Sequence, residues 1–146
     1  METNNIDIVL VEDNPDDAEL TIRALKKNKI PSNILHLKDG AEALEFMFCT
    51  GKYADRNADS RPKVILLDLN MPKVSGIEVL RRIKADEKTK PVPVIILTSS
   101  KESPDVQTCY TLGANSYIVK PVGYENFTEA ITELGLYWML LNQPPR

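Results

Sequence analysis

The stretch Val64-Ile65-Leu66-Leu67-Asp68-Leu69-Asn70-Met71-Pro72 decides the fold of this chain. Four consecutive apolar residues, without polar alternation, are typical of a strand that is covered on both faces. The run ends at Asp68 and polar turn residues follow, so we expect this carboxylate at the carboxyl end of a buried strand. A carboxylate is costly to bury there unless it has a use. Ile8–Val11, followed by Glu12 and Asp13, has the same design.

Strand-like and helix-like segments alternate along the rest of the chain. Strands are predicted over residues 6–11, 33–37, 64–67, 94–97 and 116–119. Helices are predicted from Pro15, over residues 41–49, after Gly76, from Ser103 to Gly113, and over about residues 125–142. This alternation favours an α/β fold, a doubly wound, five-stranded parallel sheet with five helices. In such sheets ligands bind outside the carboxyl ends of the strands, where the strand order reverses.

Composition and charge narrow the class of protein. The chain has 146 residues, which suits a single domain over residues 1–146. Its net charge is −3, and the sequence contains no block of basic residues that would indicate nucleic-acid binding. Its start lacks the features of a signal peptide and no apolar run is long enough to span a membrane, so we expect a cytoplasmic protein without a membrane partner. Cys49 and Cys109 lie far apart, and the single histidine, His36, falls in a predicted strand, where we expect a structural or surface role.

Polar side chains stand where the predicted strands end. Glu12 and Asp13 follow the first strand, Asp68 the third, Thr98 the fourth and Lys120 the fifth. Two carboxylates about 5 Å apart repel by roughly 3 kcal/mol at an effective dielectric constant near 20. Mg²⁺ removes such repulsion and prefers carboxylate, water and phosphate oxygens, while a hydroxyl and an ammonium group suit a phosphoryl group. The set predicts a Mg²⁺-dependent site that places a phosphoryl group on an aspartate as an acyl phosphate.

The same residues carry a resemblance that spans essentially the whole chain. The matching segments are Val11–Asp13, Leu66–Pro72, Leu97–Ser99 and Tyr117–Pro121, and their order and intervals match as well. With these segments the chain resembles the receiver domains of two-component response regulators. The resemblance implies a flavodoxin-like sheet with strand order 2-1-3-4-5, and a role in phosphorelay signal transduction.

The resemblance also implies how the acidic residues are used. Asp68 would be the phosphoacceptor. The carboxylates of Glu12, Asp13 and Asp68, together with the backbone carbonyl of Asn70, would hold Mg²⁺.

Two further roles follow from the same resemblance. Thr98 and Lys120 would contact the phosphoryl group, and Thr98 and Tyr117 would form the conformational switch. A receiver assists its own phosphorylation and dephosphorylation, so we do not expect an enzyme in the ordinary sense.

The stretch between Asp13 and Asp68 is longer than in minimal receivers. Its surplus lies in a polar segment at about residues 50–62, which we predict to be an extended surface loop. Single-domain regulators that serve phytochrome-type histidine kinases have a similarly long loop, and the chain resembles that subgroup. The resemblance implies a sensor histidine kinase, of the phytochrome type, or a phosphotransfer protein as the partner.

The predicted last helix, over about residues 125–142, is apolar on more than one face. One stripe suits packing in the core, and Leu136, Tyr137, Met139 and Leu140 fill the remaining faces near its end. Exposed apolar surface of that size usually marks a partner. We therefore predict a symmetric homodimer through this helix, and the alternative is that the polar tail of the chain covers it.

Two other functions stay open at this point. Hydrolases of the haloacid-dehalogenase type also combine a strand-end aspartate with Mg²⁺, but they carry a second aspartate two residues later, where this chain has Asn70. The chain could also be a receiver cut from a longer regulator with a DNA-binding domain, in which case Pro144-Pro145-Arg146 would begin a linker.

Overall fold

A computed structural model of the chain describes residues 6–27, 33–71, 73–98 and 103–119. The elements in chain order are β1 (Ile8–Val11), α1 (Pro15–Lys27), β2 (Ile34–Leu37), α2 (Gly40–Phe48), a short 3-10 helix (Gly51–Tyr53), β3 (Val64–Leu67), α3 (Gly76–Ala85), β4 (Val94–Thr98), α4 (Ser103–Leu112) and β5 (Ser116–Val119). The predicted helix over residues 125–142 lies outside the described residues. No helix in the described ranges is long and apolar enough to cross a membrane.

The strands form one parallel sheet in the order β2-β1-β3-β4-β5. This order confirms the predicted flavodoxin-like topology. The predicted bounds of β3 and β5 are confirmed to the residue, whereas β1 begins two residues later than predicted. The reason is that strand pairing starts there, because Ile8 is the first residue aligned with both Ile34 of β2 and Val64 of β3.

Apolar side chains of the strands alternate between two buried layers. Val9 and Val11 of β1 pack on one face of the sheet, together with buried residues of α2, α3 and α4. Ile8 and Leu10 pack on the other face with buried residues of α1. Both faces of β1 and β3 are therefore covered, which explains why neither strand shows polar alternation.

The helices that follow the first three strands begin at side-chain caps. The Asn14 side chain accepts hydrogen bonds from the backbone N–H groups of Asp16 and Asp17, at 2.9 and 3.1 Å, which confirms the predicted cap of α1. Asp39 caps α2 and Ser75 caps α3 in the same way. Because each helix begins shortly after a strand ends, helix N-termini and strand carboxyl ends share one edge of the sheet.

The polar segment at about residues 50–62 is anchored to the domain by an arginine. After the 3-10 helix, Arg56 is buried with its guanidinium 4.1 Å from the centre of the Phe46 ring. It donates hydrogen bonds to the Ser60 carbonyl at 2.7 Å and to the Cys49 sulfur at 3.1 Å. The segment joins the end of α2 to the start of β3, so it lies at the edge opposite the strand carboxyl ends.

Candidate functional site

Three carboxylates meet where the strand order reverses, between β1 and β3. Glu12 and Asp13 follow β1 and Asp68 follows β3, and one oxygen of each side chain lies within 4.8 Å of the other two. Glu12 and Asp68 are only 3% and 6% exposed, whereas Asp13 is exposed. The structure thus brings together the three acids that the sequence predicts, at the position where doubly wound sheets bind their ligands.

The backbone of Glu12 is held at both of its polar groups by the edge strand β2. Its N–H donates to the Leu37 carbonyl at 3.0 Å. Its carbonyl lies 2.7 Å from Nε2 of His36. The Glu12 carboxylate in turn accepts a hydrogen bond from the Asn14 N–H at 3.2 Å. The first acid of the site is therefore fixed by hydrogen bonds at its backbone N–H, at its backbone carbonyl and at its side chain.

Asp68 is placed by the neighbouring strand and by the start of α3. Its N–H donates to the Val11 carbonyl at 3.0 Å, and its carboxylate accepts from the Asn70 N–H at 3.3 Å. Gly76, the first residue of α3, lies directly against this turn: a Cβ there would stand 2.2 Å from the Asp68 carbonyl oxygen. A side chain at position 76 would push the helix away from the turn, so glycine lets α3 begin against Asp68.

An ion pair ties the β3–α3 loop to the start of α2. Lys73 Nζ lies 3.4 Å from the Asp39 carboxylate, and Lys73 adopts a left-handed backbone with φ of 69°. The pKa of Asp39 is lowered, chiefly because its carboxylate accepts the Glu42 N–H, with a further contribution from Lys73. Gly40 lies against the Val74 carbonyl of the same loop. The loop that follows Asp68 is thus closed against a neighbouring turn.

The chemistry of this donor set fits a hard divalent cation. Three carboxylates within 4.8 Å of one another offer only oxygen atoms, which are the ligands that Mg²⁺, Ca²⁺ and Mn²⁺ accept. Each pair of unit charges at about 5 Å repels by roughly 3 kcal/mol at an effective dielectric constant of 20. A cation between them removes that repulsion, so the arrangement suits metal binding on physical grounds.

The other predicted residues lie on β4 and β5 or outside the described residues. Thr98 ends β4, the strand next to β3, with its backbone aligned to Val119 of β5. Tyr117 of β5 is half-buried and packs against the core on the face that carries α2, α3 and α4. Lys120 lies outside the described residues, as do Leu136, Tyr137, Met139 and Leu140 of the predicted dimer interface.

His36 is a site neighbour that the sequence did not reveal. A carbonyl oxygen can only accept a hydrogen bond, so Nε2 of His36 carries the hydrogen in its contact with Glu12. The sequence predicts only a structural or surface role for this histidine. The register would have revealed it, because His36 aligns with Leu10, two residues before Glu12. The predicted strand order places β2 beside β1, but it does not give this register, which the structure was needed to show.

Comparison with known proteins agrees with the geometry. Residues 8–132 match the family described as response regulator receiver domain. The probable methanogenesis regulatory protein FilR2 of Methanothrix harundinacea is 36% identical over 138 residues, covering 94% of this chain and 86% of the relative. The response regulator Rcp1 of Synechocystis is 36% identical over 132 residues, covering 90% of this chain and 88% of the relative.

Solved structures give the same result. The Mn²⁺-bound form of Rcp1 has a TM-score of 0.88 at 34% identity, covering 97% of this chain and 99% of that one. The phosphorylated cyanobacterial phytochrome response regulator RcpA has a TM-score of 0.88 at 35% identity, with the same coverage. The bacteriophytochrome response regulator AtBRR has a TM-score of 0.75 at 45% identity, covering 95% of this chain and 99% of that one. From its fold, its acidic cluster and these relatives, the chain belongs to the receiver domain family of response regulators, which act in phosphorelay signalling.

Proposed function

We propose that Asp68 is the phosphoacceptor of this receiver and that residues 1–146 form one receiver domain. The observation that carries the assignment is the cluster of carboxylates at the β1–β3 switch point, in which Asp68 is nearly buried and lies within 4.8 Å of Glu12 and Asp13. In the reaction, an Asp68 oxygen attacks phosphorus and the bond from phosphorus to the donor's imidazole nitrogen breaks. The electron pair of that bond stays on the nitrogen of the donor.

Mg²⁺ is the proposed cofactor, held by Glu12, Asp13 and Asp68 and by the backbone carbonyl of Asn70. Bound there, the cation supplies positive charge that offsets the carboxylates and the incoming phosphoryl oxygens. The exposed Asp13 faces solvent, which leaves room for water and phosphate ligands, as Mg²⁺ prefers. The existence of a Mn²⁺-bound form of Rcp1, which has the same fold, supports a divalent-cation site in this chain.

Thr98 and Lys120 are the proposed contacts of the phosphoryl group, and Thr98 and Tyr117 the proposed switch. The support for Thr98 is its place at the end of the strand beside Asp68. The support for Tyr117 is its place on the neighbouring strand, where its ring is half-buried against the core. Moving such a switch from 1% to 99% active requires about 5.5 kcal/mol of difference in phosphoryl binding between its two states.

The proposed phosphoryl donor is a sensor histidine kinase, or a phosphotransfer protein that carries its phosphoryl group. A phytochrome-type kinase is the favoured donor, because a phytochrome response regulator is 35% identical to this chain and a bacteriophytochrome response regulator is 45% identical. We further propose that the receiver works in the cytoplasm as a homodimer through Leu136, Tyr137, Met139 and Leu140. Its only catalysis would be of its own phosphorylation and dephosphorylation.

Mass spectrometry after treatment with acetyl phosphate tests the central assignment. With Mg²⁺ we expect one labile phosphoryl group, mapped to Asp68, and with EDTA we expect almost none. Asp68→Asn should abolish labelling, whereas Asp86→Asn, a matched change in the α3–β4 turn, should leave it intact. Labelling of Asp68→Asn at the rate of the unsubstituted chain would refute the assignment.

A further inference from the structure

We infer that His36 is a positioning residue for the divalent-cation site, acting through the backbone carbonyl of Glu12. The inference rests on the proposed function, because it concerns the same carboxylate cluster. Nε2 of His36 lies 2.7 Å from the Glu12 carbonyl oxygen, which is within the range of a well-formed hydrogen bond. The side chain is half-buried, so solvent reaches this contact less freely than it would a contact at the open surface.

The contact continues the sheet beyond the point where strand pairing stops. The aligned residues of β1 and β2 end at Val11 and Leu37. The N–H of Glu12 still reaches the Leu37 carbonyl, at 3.0 Å. At the Glu12 carbonyl the donor is instead a side chain, the imidazole of His36. The strand end that carries two acids is therefore held to β2 by one backbone bond and one side-chain bond.

The Glu12 carbonyl controls where the next carboxylate points. The carbonyl of residue 12 and the N–H of residue 13 belong to one planar peptide unit. Holding the carbonyl oxygen therefore fixes the rotation of that plane, and with it the direction in which the Asp13 side chain leaves the backbone. Asp13 is exposed and has no core packing to orient it. His36 is thus the group that aims Asp13 at Glu12 and Asp68 before a cation arrives.

Direct measurement of Mn²⁺ binding, by the electron paramagnetic resonance signal of free Mn²⁺, separates this role from catalysis. His36→Leu should raise the Kd for Mn²⁺ roughly tenfold, the lower end of the effect seen when partners of metal ligands are removed. His36→Gln should keep an affinity within about threefold of the unsubstituted chain, because its amide N–H can donate to the same carbonyl. The melting temperature without metal is measured alongside for each variant.

A matched change separates positioning from simple loosening of the edge strand. Ile34→Ala removes an apolar side chain from the same face of β2 without touching Glu12. We expect it to lower the melting temperature while leaving the Kd for Mn²⁺ nearly unchanged. Three results would overturn the inference: His36→Leu binding Mn²⁺ as tightly as the unsubstituted chain, His36→Gln failing as badly as His36→Leu, or Ile34→Ala weakening binding equally. If the unsubstituted chain itself bound no Mn²⁺, the cation clause of the proposed function would fail with it.

Discussion

Replacing Asp13 with Asn should make the metal-free protein more stable while removing its response to Mg²⁺. Asp13 contributes one of three negative charges whose oxygens lie within 4.8 Å of one another. Asn has nearly the same shape, so the change removes a charge from the cluster and little else. An acidic site that is built for a cation should be strained by its own repulsion when the cation is absent.

The expected size follows from the geometry and the exposure of Asp13. At about 4.8 Å, two unit charges repel by roughly 3 kcal/mol at an effective dielectric constant of 20. Asp13 is exposed, so solvent and salt reduce the relief to about 1 kcal/mol. For a domain of this size, 1 kcal/mol corresponds to about 2–4 °C in the melting temperature. Free Mg²⁺ at a hundred times its Kd would stabilise the unsubstituted chain by about 2.7 kcal/mol, which exceeds the relief and reverses the order.

Thermal unfolding in EDTA and in saturating Mg²⁺, at low ionic strength, measures both effects. In EDTA, Asp13→Asn should melt above the unsubstituted chain, and in Mg²⁺ it should melt below. Asp16→Asn is the matched control, because Asp16 is an exposed acid in the first turn of α1, where a negative charge is favourable. It should show no gain in EDTA and a full response to Mg²⁺. The reasoning fails if Asp13→Asn is no more stable than the unsubstituted chain in EDTA, or if Mg²⁺ stabilises both equally.

Three further changes test other parts of the structure. Gly76→Ala would place a Cβ 2.2 Å from the Asp68 carbonyl oxygen, so it should cost about 1–3 kcal/mol and slow acetyl phosphate labelling. Gly113→Ala is strained by its φ of 109°, but the atoms nearest its Cβ belong to the flexible Lys84 side chain, so it should lower stability alone. Arg56→Ala should lower the free energy of unfolding in urea by more than Arg56→Met, which keeps contact with Phe46, and neither should slow labelling. Burial raises the pKa of the Cys109 thiol to about 11 from an ordinary 9.0, and the charge of Asp105 adds to the shift. Between pH 9 and 11 the folded state therefore keeps a proton that the unfolded chain loses, so the free energy of unfolding falls as the pH rises. Cys109→Ala should flatten that fall.

The fold was predictable where one signal dominated. Val64–Leu67 is apolar throughout and ends in a turn, and its bounds are confirmed to the residue. Residues 6 and 7 precede the paired part of the sheet, and no local pattern marks where pairing begins. In the sequence, Arg56 has the appearance of a surface residue. Its burial depends on a contact with the Phe46 ring of α2, which no local pattern in the polar segment indicates. Local pattern thus predicts elements, while contacts that depend on which element lies beside which escape it.

The same distinction, between features that local pattern predicts and contacts that depend on neighbouring elements, applies to the candidate site. The convergence of Glu12, Asp13 and Asp68 was predictable, because carboxyl ends of neighbouring parallel strands must share an edge and the acids stand at those ends. The His36 contact was not predictable, because it depends on the register that aligns His36 with Leu10 and on the direction of the imidazole, and neither follows from the predicted strand order. The sequence thus shows which carboxylates form the site, whereas His36, the residue that we infer orients them, could be recognised only once the sheet was assembled.

Two changes at this site should weaken cation binding by different physical routes, and stability without metal tells them apart. Asp13→Asn removes charge, so it should lower affinity while relieving repulsion and raising the melting temperature in EDTA. His36→Leu leaves all three charges in place and releases the peptide unit between Glu12 and Asp13, so it should lower affinity without that gain. The repulsion is tolerated because backbone hydrogen bonds to β1 and β2 hold the acids, namely Asp68 to Val11 and Glu12 to Leu37. If both variants gained stability in EDTA, the His36 hydrogen bond would itself be holding the repelling carboxylates together. His36 would then maintain the repulsion between the carboxylates as well as the direction of the Asp13 side chain.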